Sequence, residues 1–158
     1  MTPEEKARQK IDQWFTDAGW EVINRDDYEP TCTAVAIREG LLKGNLEADY
    51  FLFINGKAVG VLEAKREETD AFSSIVCEQA ALYARSVPNI YQTYQKPLPF
   101  IFTSNGKELY FCDFREQDHY FKQIMTIPTP HELVKKLGIN DYFLLCVRKA
   151  CVIANTKL

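Results

Sequence analysis

Residues 48–66 constrain what this chain can fold into more than any other stretch. They read Ala-Asp-Tyr-Phe-Leu-Phe-Ile-Asn-Gly-Lys-Ala-Val-Gly-Val-Leu-Glu-Ala-Lys-Arg, two apolar runs split by Asn55-Gly56. Asn-Gly between alternating apolar runs is the strongest short-range hairpin signal, so the stretch predicts two paired strands. Asp49 opens the first strand, while Glu63 and Lys65 close the second. Unpaired charge costs several kcal/mol, roughly, when buried, so three ionisable groups in such a hairpin call for a partner, a metal or a role.

The register of that hairpin decides whether the charges meet. Side chains alternate along a strand, so Asp49, Phe51 and Phe53 share one face, as do Val61, Glu63 and Lys65. A plain two-residue loop pairs Ile54 with Lys57 and sends Asp49 and Glu63 to opposite faces. A three-residue loop, or a bulge, brings them to one face, where they repel unless something positive sits between them. A divalent ion such as Mg²⁺, which takes oxygen ligands and keeps waters, meets that need, and Lys65 is then placed to stabilise charge on a phosphate or act on a bound water. The Ala64 carbonyl is a further candidate ligand. Read alone, the pattern fits strand-end charges reaching solvent better than a catalytic site.

The remainder supplies the frame. Pro3 to Ala18 has helical periodicity, with Ala7, Ile11, Trp14, Phe15 and Ala18 on one side. Thr2 is placed as its N-cap, Pro3 suits the first position, and Gly19 stops it. Glu4 and Arg8 lie at the edge of the apolar face, placed either to look into a site or, as plain helix charges, to face solvent. Trp20 to Ile23 and Thr31 to Ile37 read as strands, with a turn expected from Gly40 to Asn45. A helix follows from a cap at Thr69 or Asp70 to about Arg85, with Phe72, Ile75, Val76, Gln79, Ala80 and Tyr83 on one face. Gln79 and Tyr83 stand at i and i+4, pointing both polar tips the same way. Phe100 to Thr103 and Leu109 to Phe114 form a second hairpin across Ser104-Asn105-Gly106-Lys107. A short helix spans 128–137, capped by Thr129, begun at Pro130 and ended by Gly138. The order helix, three strands, helix, two strands, helix predicts an α/β sandwich on a mixed sheet.

Composition narrows the classes. At 158 residues and 46% hydrophobic, the chain fits one domain with one substantial core. Five cysteines without a Cys-x-x-Cys pair read as reduced thiols, and His119 and His131 have no zinc-ligand spacing. The charged N-terminus lacks a signal-peptide core, and the run from Tyr142 to Ala154 is too short and too charged to span a bilayer, so a cytoplasmic protein without membrane association is expected. The net charge of −3 divides into −6 over residues 1–70 and +3 over 71–158. An acidic half suited to cations and a basic half suited to phosphates is one reading, and scattered surface charge is the other.

The run from Glu47 to Lys65, followed by Gln79-x-x-x-Tyr83 and by Pro-Phe-Ile-Phe-Thr-Ser-Asn-Gly-Lys at 99–107, resembles the N-terminal nuclease domain of type I restriction enzyme R subunits, within the PD-(D/E)xK superfamily. The resemblance covers about residues 4–137. It implies a restriction-endonuclease-like αβββαβ core, Mg²⁺ (or Mn²⁺) on Asp49 and Glu63, and Lys65 completing a catalytic trio. It also implies that Gln79 and Tyr83 hold DNA or position the site, and that Glu4 or Glu5 lies near the metal. Ala48 stands where the superfamily name has Pro, a backbone-shaping position that does not bind metal. The implied activity is cleavage of duplex DNA, with sequence choice supplied by partner methylation and specificity subunits. Full R subunits continue into an ATP-driven motor, whereas these residues contain no phosphate-binding loop, so no ATP site is expected here and a fragment or truncated product is implied. Residues 141–158 match no part of the resemblance. The competing expectation is a docking module that keeps the fold and binds DNA or subunits without turnover.

Overall fold

In the computed structural model, residues 1–29 and 34–138 are described. The elements run α1 (Pro3–Asp17), β1 (Glu21–Asn24), β2 (Ala34–Leu41), β3 (Glu47–Ile54), β4 (Lys57–Ala64), α2 (Ser74–Arg85), β5 (Gln92–Thr93), β6 (Phe100–Ser104), β7 (Leu109–Asp113), β8 (Lys122–Ile124) and α3 (Pro130–Lys136). All eight strands join one mixed sheet in the order β1-β2-β3-β4-β6-β7-β8, with the two-residue β5 also on β4. β4 runs parallel to β6 and antiparallel to β3. Parallel neighbours need a long crossover, and α2 supplies it between β4 and β6. The αβββαβ core that the resemblance implied is present as α1, β2–β4, α2 and β6, with β1 as a fourth strand between the two helices.

The sheet is covered on both faces. Ile11 and Phe15 of α1 and Leu133 and Val134 of α3 pack with Tyr50, Leu52, Leu62, Phe100 and Phe102 on one side. Ala80, Tyr83 and Ala84 of α2 pack with Phe51, Phe53, Val61 and Ile101 on the other. A sheet covered twice explains why β3, β4 and β6 read as continuous apolar runs rather than alternating ones.

Capping follows the sequence closely. Thr2 accepts from the Glu5 N–H while the Glu5 carboxylate accepts from the Thr2 N–H, a reciprocal capping box, and Gly19 leaves the helix at φ +94°. Thr129 accepts from the Glu132 N–H to begin α3.

Three local expectations are corrected. β2 continues through Gly40 to Leu41, so the turn expected from Gly40 to Asn45 narrows to Lys43–Asn45. A Cβ at Gly40 would come 2.5 Å from the Phe51 Cβ, so this glycine answers a close strand approach rather than a turn. α2 begins at Ser74 with Ser73 as cap, not at Thr69 or Asp70. Asp70 instead closes a turn by accepting from the Phe72 N–H. In consequence Phe72 and Ile75 leave the apolar face, and Ile75 is 77% exposed. The short strands β5 and β8 were not foreseen, being two and three residues long. The start of the expected strand at Thr31, Cys32, Cys146, Cys151 and the run from Tyr142 lie outside the described residues; Cys77 and Cys112 are free thiols.

Candidate active site

The β3–β4 hairpin turns on two residues, Asn55 at φ +52° and Gly56 at φ +77°, the positive pair that a tight hairpin turn of matching twist requires. Ile54 pairs with Lys57 and Phe53 with Ala58. Beyond them the register shifts by one, since Leu52 pairs with Gly60, Phe51 with Val61 and Tyr50 with Leu62. The extra residue on β4 is a bulge at Val59. Its effect is visible in the packing, where Ala58 and Val61, three residues apart, join the α2-side core while Val59 and Leu62 join the α1-side core. One residue of slip exchanges the faces of everything after it. Beyond Tyr50↔Leu62 the two strand ends bring Asp49 close enough to Glu63 for its charge to act on the Glu63 carboxyl. The loop is therefore the plain two-residue one, and the bulge supplies the parity that convergence requires.

Four hydrogen bonds fix the carboxylates and their surroundings. Asp49 Oδ2 accepts the Ala64 N–H at 2.7 Å, and Asp49 Oδ1 forms an ion pair with the Arg8 guanidinium. Glu63 Oε1 lies 2.9 Å from Lys65 Nζ. The Lys65 N–H donates to the Ser104 carbonyl at 2.8 Å, extending the β4–β6 ladder past the strand end. Glu63 is only 4% exposed, and its Oε2 is buried without a hydrogen-bond partner.

The electrostatics follow from this geometry. Burial, then the facing Asp49 charge, pushes the Glu63 carboxyl up to about 7, against the pull of Lys65. Burial disfavours the Lys65 ammonium, but the hydrogen bond and charge of Glu63, with Asp49 behind, hold it above its ordinary value. Lys65 is thus a cation here, suited to stabilising negative charge. Gln79 Nε2 donates to the Tyr83 hydroxyl at 2.9 Å, so the i, i+4 pair is closed on itself. Burial raises the Tyr83 hydroxyl, and the Glu63 charge adds to it, which ties this end of α2 to the carboxylates.

Glu4 is exposed in the first turn of α1, and Glu5 is engaged in the capping box. Among the described residues no three His, Cys, Asp or Glu side chains gather as a metal site, so Glu4 does not complete a trio with Asp49 and Glu63. The α1 residue that reaches the site is Arg8, one turn on from Glu4.

Other positioning groups were not read from the sequence. Asn105 is buried, donates to the Glu67 and Thr69 carbonyls, and accepts from the Lys107 and Glu108 N–H groups. Thr103 Oγ1 donates to the Ala71 carbonyl at 2.6 Å. Together they hold the segment after Lys65 against β6 and its turn. Gly106 is needed there because a Cβ would meet Ala7 of α1 at 2.8 Å. The signal for Asn105 was its place in the 99–107 motif, which carried no assigned role.

Residues 28–137 match the sequence family described as type I restriction enzyme EcoKI endonuclease subunit, second domain. The chain belongs to this family. The endonuclease-subunit match spans β2 through α3, including Asp49, Glu63, Lys65, Gln79 and Tyr83, and begins after α1. A solved fragment assigned to an HsdR subunit of a type I restriction enzyme from Vibrio vulnificus YJ016 has the same fold, at a TM-score of 0.57 and 23% identity over 89% of this chain. The chain spans 27% of that structure's length. No curated protein matches in sequence.

Proposed function

We propose that this endonuclease-subunit region is a nuclease module of PD-(D/E)xK type that hydrolyses phosphodiester bonds of duplex DNA with Mg²⁺, or Mn²⁺ in its place. The observation that carries the reading is the buried Glu63, with Oε1 on Lys65 and Oε2 unpartnered, next to an Asp49 that the Ala64 N–H holds at the end of the same strand. A buried carboxyl oxygen without a hydrogen-bond partner is costly unless a proton or a cation completes it, and a divalent ion can serve Glu63 and Asp49 at once. An all-oxygen donor set suits a hard divalent ion, so the residues fit Mg²⁺, held by Asp49 and Glu63. When bound, the ion supplies positive charge that stabilises the oxygens of the reacting phosphate.

The chain's own groups would divide the remaining work. Lys65, held as an ammonium, is suited to stabilise charge developing on the phosphate or to donate a proton to a leaving oxygen. The Ala64 N–H fixes Asp49 so that one carboxylate oxygen stays directed into the site. The Gln79–Tyr83 pair is placed to contact the DNA backbone or to hold Lys65 and Glu63 in position. Sequence choice would come from methylation and specificity subunits in a cytoplasmic complex, and any ATP-driven step would be supplied from outside residues 1–158.

The test is nicking of supercoiled plasmid in Mg²⁺ by the Glu63→Ala and Lys65→Ala variants, alongside far-UV circular dichroism. Each variant is expected to lose about a hundredfold or more in rate with its spectrum unchanged. Nicking that survives both substitutions would sink the assignment and favour a docking module.

A further inference from the structure

The metal reading leaves Arg8 unexplained. Its guanidinium pairs with Asp49 Oδ1 through Nη2, and with Glu39 Oε1 through Nη1 at 3.3 Å. Asp49 Oδ2 already accepts the Ala64 N–H, whereas Oδ1 is held by Arg8 alone and is the oxygen that a cation gains if the guanidinium leaves. The guanidinium sits on that oxygen. Two unlike cations on one carboxylate oxygen repel at short range in a partly desolvated site, so occupancy by one opposes occupancy by the other. Glu39 offers the displaced side chain somewhere to go. It lies across from Asp49, between the paired Arg38↔Tyr50 and Gly40↔Ala48. Its φ of +56° is a left-handed conformation rare for a non-glycine residue, and its carbonyl accepts from Arg25 at 2.8 Å.

We infer that Arg8 is the resident countercharge of the carboxylate site, released from Asp49 toward Glu39 when a divalent cation enters, and that this exchange sets the site's metal affinity. Arg8 is a positioning residue in this account, acting through Asp49. The inference rests on the metal reading of Asp49 and Glu63 given above.

The test is isothermal titration of the 158-residue chain with Mn²⁺, comparing wild type with Arg8→Gln, Arg8→Lys and Lys10→Gln. Arg8→Gln is expected to bind Mn²⁺ about tenfold more tightly, the equivalent of one charge-assisted hydrogen bond no longer competing. Arg8→Lys, which keeps a cation but loses the fork, should fall between it and wild type. Lys10→Gln removes the same charge from an exposed position of α1 and should leave the affinity near that of wild type. A merely structural role for Arg8 predicts the opposite sign, since a loosened site binds metal less well. Affinity unchanged or weakened in Arg8→Gln, or raised equally by Lys10→Gln, overturns the inference while leaving Mg²⁺-dependent nicking by the wild type intact. Absence of Mn²⁺ binding in wild type and variants alike removes the exchange and the metal reading together.

Discussion

Glu63 shows how one side chain can cost the fold something. It is buried, feels the Asp49 charge, and keeps one oxygen unpartnered, with Lys65 as its ion-pair partner among the described residues. Its carboxyl is raised from 4.5 to about 7, so the folded chain binds a proton there that the unfolded chain has released. The contribution to stability is full below about pH 4.5 and is lost as pH rises through 7. With EDTA present, the Glu63→Gln variant should therefore show a flatter stability-versus-pH curve than wild type between those limits. Urea denaturation across that range measures it, and parallel curves for the two proteins would contradict the burial argument. Such destabilised polar groups concentrate where a site must stay poised for a ligand.

At the scale of the element, the hairpin is built from two features that need each other. The two-residue turn fixes the start of the register, and the Val59 bulge changes its parity before the chain reaches Glu63. Gly60 follows directly and lies against β6, where a Cβ would come 2.4 Å from the Phe100 carbonyl oxygen. That neighbour is backbone in the middle of the sheet and has no room to give. Gly60→Ala is expected to lose about 2–3 kcal/mol of stability, by overpacking and by disturbance of the β4–β6 ladder. Chemical denaturation reads this directly, and a change below about 0.5 kcal/mol would mean the strands separate at no cost. The glycine was visible in the sequence, but only the parallel neighbour explains it.

Across the whole molecule, α1 is bound to the rest by both core and site. Phe15 is fully buried, packing 6.2 Å from the Trp20 ring and 5.1 Å from the Tyr50 ring. The Tyr50 hydroxyl in turn donates to Asp12 Oδ1 at 2.5 Å and lies 3.0 Å from the Arg8 carbonyl. Phe15→Ala should cost about 3–5 kcal/mol and loosen the placement of Arg8 over Asp49. A loss under about 1 kcal/mol would show that α1 is an accessory to the sheet rather than part of its core. The helix lies before the family match, yet it carries Arg8, whose guanidinium pairs with Asp49. The sequence by itself determined the helix with its Thr2 cap, the Asn-Gly turn, the second hairpin and the capped α3, because periodicity, caps and turns are written in neighbouring residues, and it offered Asp49, Glu63, Lys65, Gln79 and Tyr83 as candidates. Only the tertiary structure decided that Asp49 and Glu63 converge, that Arg8 and not Glu4 approaches them, and that Asn105 anchors the segment after Lys65. Those outcomes depend on strand register and on contacts between residues 31 to 41 positions apart, and Gly60 beside the Val59 bulge signals an irregular strand without telling a bulge from a close strand approach.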